Sequence, residues 1–183
     1  MEKCTFNASQ VKYLGLIVSE KGLEADPRRV SVIEGIKWPT SRKEVRSLLG
    51  LVNYYGKFVP NLHDYKAPLE SLLPADQKFE WTSAHQRCLN RIKEVLVGPL
   101  LLAHYDPNQT LIVAADASPT GVGGVLPQRY ADGREKSVFH MAKSLTKTQR
   151  NYSQVEKEAL ALVTAVERFK KFLLGRQFIL QTD

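Results

Sequence analysis

The sequence predicts an α+β protein in which a small β-hairpin and a helical region come before a mixed α/β domain. Residues 3–24 contain a β-rich run and a turn, and residues 26–97 carry apolar side chains at helical spacing. From Leu111 onward the pattern changes to three strands, one long helix and a further strand. Taken in chain order, these three observations predict the fold class.

The composition fits a globular protein with a modest basic excess. Of the 183 residues, 43% are hydrophobic and 25% are charged, and the formal net charge is +7. This charge suits a phosphate-rich partner, but many basic proteins bind no nucleic acid, so both interpretations stay open here. Cys4 and Cys88 lack CxxC spacing, which argues against a zinc site or a disulfide framework. The start carries no signal-peptide pattern and no apolar run has membrane-spanning length, so we expect a protein that is not secreted.

The first region predicts a β-hairpin. Residues 11–18 are rich in β-forming side chains, and residues 19–22 supply the turn. Gly15 lies inside the predicted strand, where glycine is typical of a bulge or of a close approach by another backbone.

Capping residues predict two helices after the hairpin. Asp26 followed by Pro27 begins the first, and Ser41 with Glu44 forms a predicted capping box for the second. The second helix carries an apolar stripe formed by Val45, Leu48, Leu49 and Val52. We expect this stripe to face the core. Whether the neighbouring cations and the pair Tyr54–Tyr55 contact a phosphate backbone or only solvent stays open.

Residues 67–73 and 84–97 predict two further helices, the second of them capped by Thr82 or Ser83. His63 stands shortly before the first of these helices. Because a lone histidine is far more often a surface or capping residue than a ligand, we interpret His63 in that way.

The last third alternates strands and a helix. The predicted elements are strands at 111–115, 121–126 and 137–141, a helix at 154–174 with Gly175 as its C-cap, and a strand at 178–182. The second strand is rich in glycine, which leaves a bare surface that another backbone could approach. Pro127 follows it, and proline favours an edge or a bulge.

Two of these strands end in a carboxylate, at Asp116 and Asp183, and the helix between them carries Glu156 and Glu158. This arrangement can gather three carboxylates at one sheet edge. Clustered carboxylates repel one another, and Mg²⁺ or Mn²⁺ compensates their charge while preferring hard oxygen ligands. At about 100° per residue the two glutamates lie on nearly opposite helix faces, so only one of them can reach the strand ends.

Several short motifs occur in an order typical of one family. They are residues 3–6, 13–16, 38–39, 48–58, 79–82, 116–118, 151–153, 156–161 and 182–183. In this order they resemble the Pol polyprotein of gypsy-type LTR retrotransposons, from the end of the reverse-transcriptase palm through the helical thumb into ribonuclease H. The resemblance covers essentially the whole chain.

The resemblance implies a division of the chain. Its parts are the end of the palm with a primer-grip-like hairpin at 1–24, a helical thumb at 25–77, a connecting helix segment at 78–109 and a partial ribonuclease H-like domain at 110–183. It also implies two-metal hydrolysis, with magnesium or manganese, of the RNA in an RNA–DNA hybrid. The implied partners are such a hybrid or a primer–template duplex and the rest of the Pol polyprotein. The implied compartment is the cytoplasm or a virus-like particle, with the nucleus as an alternative.

The resemblance also implies roles for individual residues. Asp116, Glu158 and Asp183 match the catalytic, metal-binding carboxylates of the family, and Glu158 is preferred over Glu156 because it directly precedes the motif at 159–162. The expected nucleic-acid-binding residues are Tyr13, Leu14, Gly15, Arg46, Asn53, Tyr54, Tyr55 and Lys57.

Some features depart from the family pattern. The paired polymerase aspartates would lie upstream, and a fourth metal-binding aspartate with the rest of the sheet would lie downstream. We therefore expect a fragment with weak or no nuclease activity by itself. The alternative is a non-catalytic nucleic-acid-binding module or an inactive remnant. Three carboxylates facing phosphates would only repel the ligand of a pure binder, and this favours the enzyme.

Overall fold

The computed structural model describes residues 7–98 and 100–182. The strands at the start of the chain and just after its helical part are β1 Gln10–Tyr13, β2 Leu16–Ser19, β3 Gly22–Ala25 and β4 Leu101–Leu102. They form one antiparallel sheet in the order β1-β2-β3-β4. The predicted hairpin is therefore extended to a meander, and the motif at 3–6 lies outside the described residues.

The prediction of one continuous strand over residues 11–18 is wrong. Leu14 and Gly15 have φ values of 49° and 78°, so the chain turns between β1 and β2 and pairs Tyr13 with Leu16. Gly15 lies in this tight turn and not in a bulge, and its positive φ is the reason that glycine suits the position. The turn escaped prediction because its first central residue is leucine, which is not a typical turn former.

Helices make up most of the chain between β3 and β4. They are α1 Pro27–Glu34, α2 Arg42–Tyr55, α3 Leu62–Glu70 and α4 Ser83–Val97, with a 3₁₀ turn at Gly56–Phe58. As predicted, the side chains of Asp26 and Ser41 cap α1 and α2. The carboxylate of Glu44 accepts a hydrogen bond from the backbone N–H of Thr40 at 2.8 Å, one residue before Ser41, so the predicted capping box forms only in part.

The third helix begins five residues earlier than the predicted range 67–73. It starts at Leu62 and contains Pro68 in its last turn. Leu62 and Leu69 are seven positions apart, which places them on one face of the helix, and both are buried. The prediction placed this proline in the first turn, where a missing backbone N–H costs least. The change matters because it brings His63 into the helix.

The apolar stripe of α2 lies in the core, as predicted. Val45 and Val52 are fully buried and belong to the same cluster as Leu89, Ile92 and Leu96 of α4. Burial of the stripe in this shared core fixes the position of α2 and leaves its opposite face exposed.

The second sheet contains β5 Thr110–Ala117, β6 Gly121–Arg129, β7 Glu135–Ser144 and β8 Phe178–Gln181, in the order β7-β6-β5-β8. Strand β8 is parallel to β5, and the other pairs are antiparallel. After the short helix α5 Lys147–Arg150, the long helix α6 Gln154–Leu173 packs on β5 and β6. The predicted order of elements and the irregularity at Pro127, where the register shifts, are both confirmed.

The helical part and the second sheet are in contact through α3. Gly121 and Gly123 lie on the face of β6 that meets the start of α3, and a Cβ atom at these positions would lie 2.2 Å from His63 Cδ2 and 2.0 Å from Asn61 Oδ1. The predicted close approach to the glycine-rich strand therefore occurs, but two side chains make it and not a backbone. None of the helices in the described part of the chain combines the length and apolar composition needed to cross a bilayer.

Candidate functional site

Asp116 lies near the end of β5, on the sheet face opposite α6. Its strand partner is Gly123, whose missing side chain faces Asn61, whereas the neighbouring residues Ala115 and Ala117 pack in the cluster of α6. Side chains alternate along a strand, so the carboxylate leaves the core and is exposed. One of its oxygens accepts a hydrogen bond from the backbone N–H of Ala117 at 2.7 Å.

Glu158 lies in the second turn of α6, half-buried, beside the same end of β5. The side-chain amide of Gln154 donates hydrogen bonds to the carbonyl oxygen of Ala117 at 3.1 Å and to Glu158 Oε1 at 3.0 Å. One amide therefore joins the end of β5 to the helix glutamate. Asp116 and Glu158 approach this end of the sheet from its two faces.

Glu156 caps the N-terminus of α6 together with Ser153. Its carboxylate accepts hydrogen bonds from the backbone N–H and the hydroxyl of Ser153, both at 2.8 Å, and the Ser153 hydroxyl accepts in turn from the backbone N–H of Glu156. These bonds hold the pKa of Glu156 below its ordinary value. The structure thus places Glu156 in the N-terminal capping box of α6, and Glu158 is the helix acid that Gln154 links to Ala117, the residue after Asp116.

The donor chemistry at this edge suits a hard divalent cation. Asp116 and Glu158 offer carboxylate oxygens, and β8 brings Gln181 into register with Ala114 on the neighbouring strand. Within residues 7–98 and 100–182, no three His, Cys, Asp or Glu side chains converge closely enough to hold a metal ion. The third predicted ligand, Asp183, lies outside the described residues. The carboxylates present fit Mg²⁺ or Mn²⁺ better than a metal that prefers nitrogen or sulfur.

A buried histidine adjoins the site, so the interpretation of His63 as a surface or capping residue is wrong. His63 is only 2% exposed, and its Nε2 lies 3.0 Å from the hydroxyl of Ser118, two residues after Asp116. The Ser118 hydroxyl donates to Asp64 Oδ1 at 2.9 Å, so Nε2–H of His63 is the donor to Ser118. Burial lowers the pKa of His63 more than the carboxylate of Asp64 raises it.

The residues Ser118, His63 and Asp64 do not form a nucleophilic triad. In such a triad the acid binds the ring nitrogen that does not face the hydroxyl. Here Asp64 Oδ1 contacts the hydroxyl and lies 3.2 Å from the same Nε2, and Nδ1 has no hydrogen-bond partner in the described structure. This arrangement is a structural contact between α3 and the segment after β5.

The predicted nucleic-acid-binding residues of the hairpin meet those of α2. Tyr13 and Leu14 are 64% and 71% exposed, and Gly15 follows them in the turn. The hydroxyl of Tyr54, at the end of α2, donates a hydrogen bond to the carbonyl oxygen of Leu14. The hairpin turn and the end of α2 therefore form one surface.

The remaining predicted residues differ in exposure. Arg46 and Asn53 are exposed, Lys57 is half-buried, and Tyr55 is only 2% exposed in the core. Tyr55 packs edge-on against Tyr54 with ring centroids 5.0 Å apart, so it supports the exposed ring and does not lie on the surface. Arg46, Asn53 and Tyr54 share the exposed face of α2 because they are seven and eight residues apart.

Known proteins resemble this chain over nearly its whole length. The Tf2-3 polyprotein of Schizosaccharomyces pombe (strain 972 / ATCC 24843), a transposon polyprotein, is 36% identical over 171 residues, which is 93% of this chain. The Tf2-4 polyprotein of the same organism matches to the same extent. The chain spans 13% of the length of these relatives.

Solved structures agree with the fold. The foamy viral protease–reverse transcriptase in complex with an RNA/DNA hybrid superposes with a TM-score of 0.84 and 26% sequence identity, over 99% of this chain and 25% of that one. The same viral protein in complex with dsDNA gives a TM-score of 0.80 and 27% identity, over 96% of this chain and 37% of that one. The family described as the RNase H-like domain found in reverse transcriptase matches residues 81–180. The chain therefore belongs to the family of RNase H-like domains found in reverse transcriptase, and the resemblance to a retrotransposon polyprotein is confirmed.

Proposed function

We propose that this chain carries the ribonuclease H site of a retroelement reverse transcriptase, which hydrolyses the RNA strand of an RNA–DNA hybrid. One observation carries the proposal: the amide of Gln154 joins Glu158 to the end of the strand that bears Asp116. The competing acid, Glu156, is used in the helix cap. Asp183, outside the described residues, is proposed as the third carboxylate because the motif at 182–183 resembles that of the family.

Asp116, Glu158 and Asp183 would hold magnesium or manganese, and the bound metal supplies an activated water and charge stabilisation for the leaving oxygen. The residues of the chain position the carboxylates. Gln154 holds the carboxylate of Glu158 toward the end of β5, and Ala117 orients one oxygen of Asp116. No side-chain nucleophile is needed, and the hydroxyl of Ser118 is occupied by Asp64 and His63.

The proposed partner is a nucleic-acid duplex. The structures of the foamy viral protein hold an RNA/DNA hybrid and dsDNA, and they match this chain at 26% and 27% identity. The exposed residues Arg46, Asn53, Tyr54 and Tyr13 provide the charge, amide and aromatic groups that contact a phosphate–sugar backbone. The division at 1–24, 25–77, 78–109 and 110–183 belongs to this proposal, as do the rest of the Pol polyprotein as a partner and the cytoplasm or a virus-like particle as the compartment.

The test is a cleavage assay with a hybrid whose RNA strand is labelled. Because the chain spans a small part of its relatives, we would use excess protein and follow a single turnover, so that slow cleavage is detected. We expect cleavage of the RNA that requires Mg²⁺ or Mn²⁺ and is lost in Asp116→Asn and Glu158→Gln.

Glu156→Gln is the matched control. It makes the same chemical change on the same helix, and glutamine can replace glutamate in a capping box, so cleavage should persist. Cleavage that survives in Asp116→Asn would contradict the proposal. Metal-independent binding of the hybrid without any cleavage would favour the alternative, a non-catalytic nucleic-acid-binding module.

A further inference from the structure

A cleft of about 510 Å³ lies where the helical part meets the second sheet. One wall is formed by the end of α2 and by α3, and the other by β7 and α6. Asn53 and Tyr54 line it, so the cleft adjoins the exposed face of α2. Ser144 also lines it, and the strand partner of Ser144 is Gly121, close to the segment after Asp116. The cleft therefore connects the proposed duplex-binding face with the carboxylate edge.

The cleft carries positive charge that the described residues do not neutralise. Lys66 is paired with Glu70 at 3.2 Å, so these two charges compensate each other. Lys57, Lys143 and Arg168 also line the cleft, and none of them forms a salt bridge within residues 7–98 and 100–182. Three cations at one cleft without a carboxylate partner form a site for an anion.

Aromatic rings contact two of these cations, Lys57 and Arg168, without neutralising them. Lys57 Nζ lies 5.6 Å and 5.4 Å from the ring centres of Tyr54 and Phe58, and the guanidinium of Arg168 lies 5.8 Å from that of Phe139. Burial and the nearby charge of Lys171 lower the pKa of Lys57. A half-buried cation beside another cation is electrostatically unfavourable, and a bound anion would stabilise both charges.

We propose that backbone phosphates of the nucleic-acid duplex bind in this cleft, between Lys57 on the helical side and Lys143 and Arg168 on the sheet side. The inference rests on the proposed function, because it takes the duplex as the substrate. It adds two residues, Lys143 and Arg168, that the sequence had not marked for nucleic-acid binding. A polyanion is the fitting occupant because the cleft holds three cations that are unpaired within the described residues and is lined by Asn53 and Tyr54 of the surface proposed to contact the same duplex.

The test measures the affinity of the chain for a fluorescein-labelled RNA–DNA hybrid at several salt concentrations, without divalent metal. We expect Lys143→Gln and Arg168→Gln each to weaken binding about three- to tenfold and to reduce the slope of log affinity against log salt by about one. Two exposed cations on the same elements, Lys136 on β7 and Lys170 on α6, provide matched controls. Lys136→Gln and Lys170→Gln should change affinity less than about twofold.

Equal losses for all four substitutions would overturn the proposal, because they would show only a general effect of net charge. Unchanged hybrid affinity in Lys143→Gln and Arg168→Gln would also overturn it. A parallel titration with inorganic phosphate separates the two sources of the same chemistry. Phosphate binding that Arg168→Gln removes, without any change in hybrid affinity, would assign the cleft to a free phosphate and contradict the proposal.

Failure of this inference and failure of the proposed function are distinguishable. The cleft substitutions act on hybrid affinity in the absence of metal, whereas Asp116→Asn and Glu158→Gln act on metal binding and cleavage. If the cleft variants lose hybrid affinity but the wild type binds no metal, the proposal of phosphate binding in the cleft stands and the proposed nuclease function is rejected.

Discussion

His63 Nε2 lies 3.0 Å from the hydroxyl of Ser118, although the two residues are 55 positions apart in the chain. Ser118 follows Asp116 by two residues, and His63 belongs to α3. The contact therefore ties the helical part of the chain to the segment that presents a proposed metal ligand. A movement of α3 would therefore displace the segment that follows Asp116.

The buried histidine should contribute strongly to stability. His63→Ala removes a hydrogen bond and leaves a cavity under α3, so we expect a loss of about 2–4 kcal/mol in the free energy of unfolding. Urea denaturation measures it. His104 is also hydrogen-bonded but is exposed, and His104→Ala should cost less than about 1 kcal/mol. Equal losses of unfolding free energy in the two variants would show that the buried His63 contact stabilises the protein no more than the exposed His104 contact does.

The glycine opposite His63 should not tolerate a methyl group. In Gly121→Ala the new Cβ would lie 2.2 Å from His63 Cδ2, so we expect a destabilisation of about 1–3 kcal/mol from overpacking. In a His63→Ala background the same change should cost less, because the close contacts with the imidazole ring are gone and only the Cβ atom of residue 63, at 2.8 Å, remains near. Thermal denaturation of the double-mutant cycle measures the coupling.

Gly50 is the matched control for this cycle. It lies within α2, and a Cβ there meets nothing within 4 Å. Gly50→Ala should therefore stabilise the protein by about 0.5–1 kcal/mol, through helix propensity alone. Additive effects of Gly121→Ala and His63→Ala would contradict the packing that the structure shows.

Stability should fall in mild acid because of His140. Burial lowers the pKa of this residue from 6.5 to about 4. Between these values the unfolded chain binds more protons than the folded one, so stability decreases as the pH falls from about 6.5 to 4, by up to roughly 3 kcal/mol. The charged groups around the same cleft are Lys57, Lys66, Glu70, Lys143 and Arg168.

The effect is measured as the free energy of unfolding against pH, for the wild type and for His140→Phe. The phenylalanine variant should show a smaller loss over this range, because it cannot take up the proton. His63, whose pKa is also lowered by burial, adds a loss of the same sign that His140→Phe leaves in place. Parallel curves for the two proteins would argue against the role of His140.

Gln154 should influence metal binding without being a ligand. Its amide holds Glu158 Oε1 and the carbonyl oxygen of Ala117, so Gln154→Ala frees the glutamate to rotate. We expect metal affinity to fall about tenfold, as for other groups that orient a ligand, with nearly unchanged stability. Calorimetric titration with Mn²⁺ measures this change. Unchanged metal affinity in a folded Gln154→Ala variant would contradict a role of Gln154 in orienting Glu158.

Much of the fold could be predicted because its signals are local. The apolar stripe of α2 and the alternation of strands around α6 follow from side-chain periodicity. The choice of Glu158 over Glu156 followed from the helical angle between them and the motif that follows. The cap formed by Ser153 and Glu156 has the sequence pattern of a capping box, so it too is a local signal.

The rest depended on contacts between distant residues. His63 stands among polar residues without periodicity, and the glycines that accept it lie about sixty positions later, so nothing local indicated its burial. The prediction of one shared role for Tyr54 and Tyr55 does not allow for the fact that adjacent helical residues point in directions about 100° apart. Tyr55 is in phase with Val52 and Leu48 and therefore enters the core.

The most direct measurement is a titration of the chain with Mg²⁺ or Mn²⁺, followed by calorimetry or NMR, for the wild type, Asp116→Asn, Glu158→Gln and Glu156→Gln. We predict metal binding in the wild type and in Glu156→Gln, and its loss in the other two variants. If the folded wild type binds no metal, or if Asp116→Asn binds it as well as the wild type, the carboxylates do not form a metal site and the proposed nuclease function is contradicted.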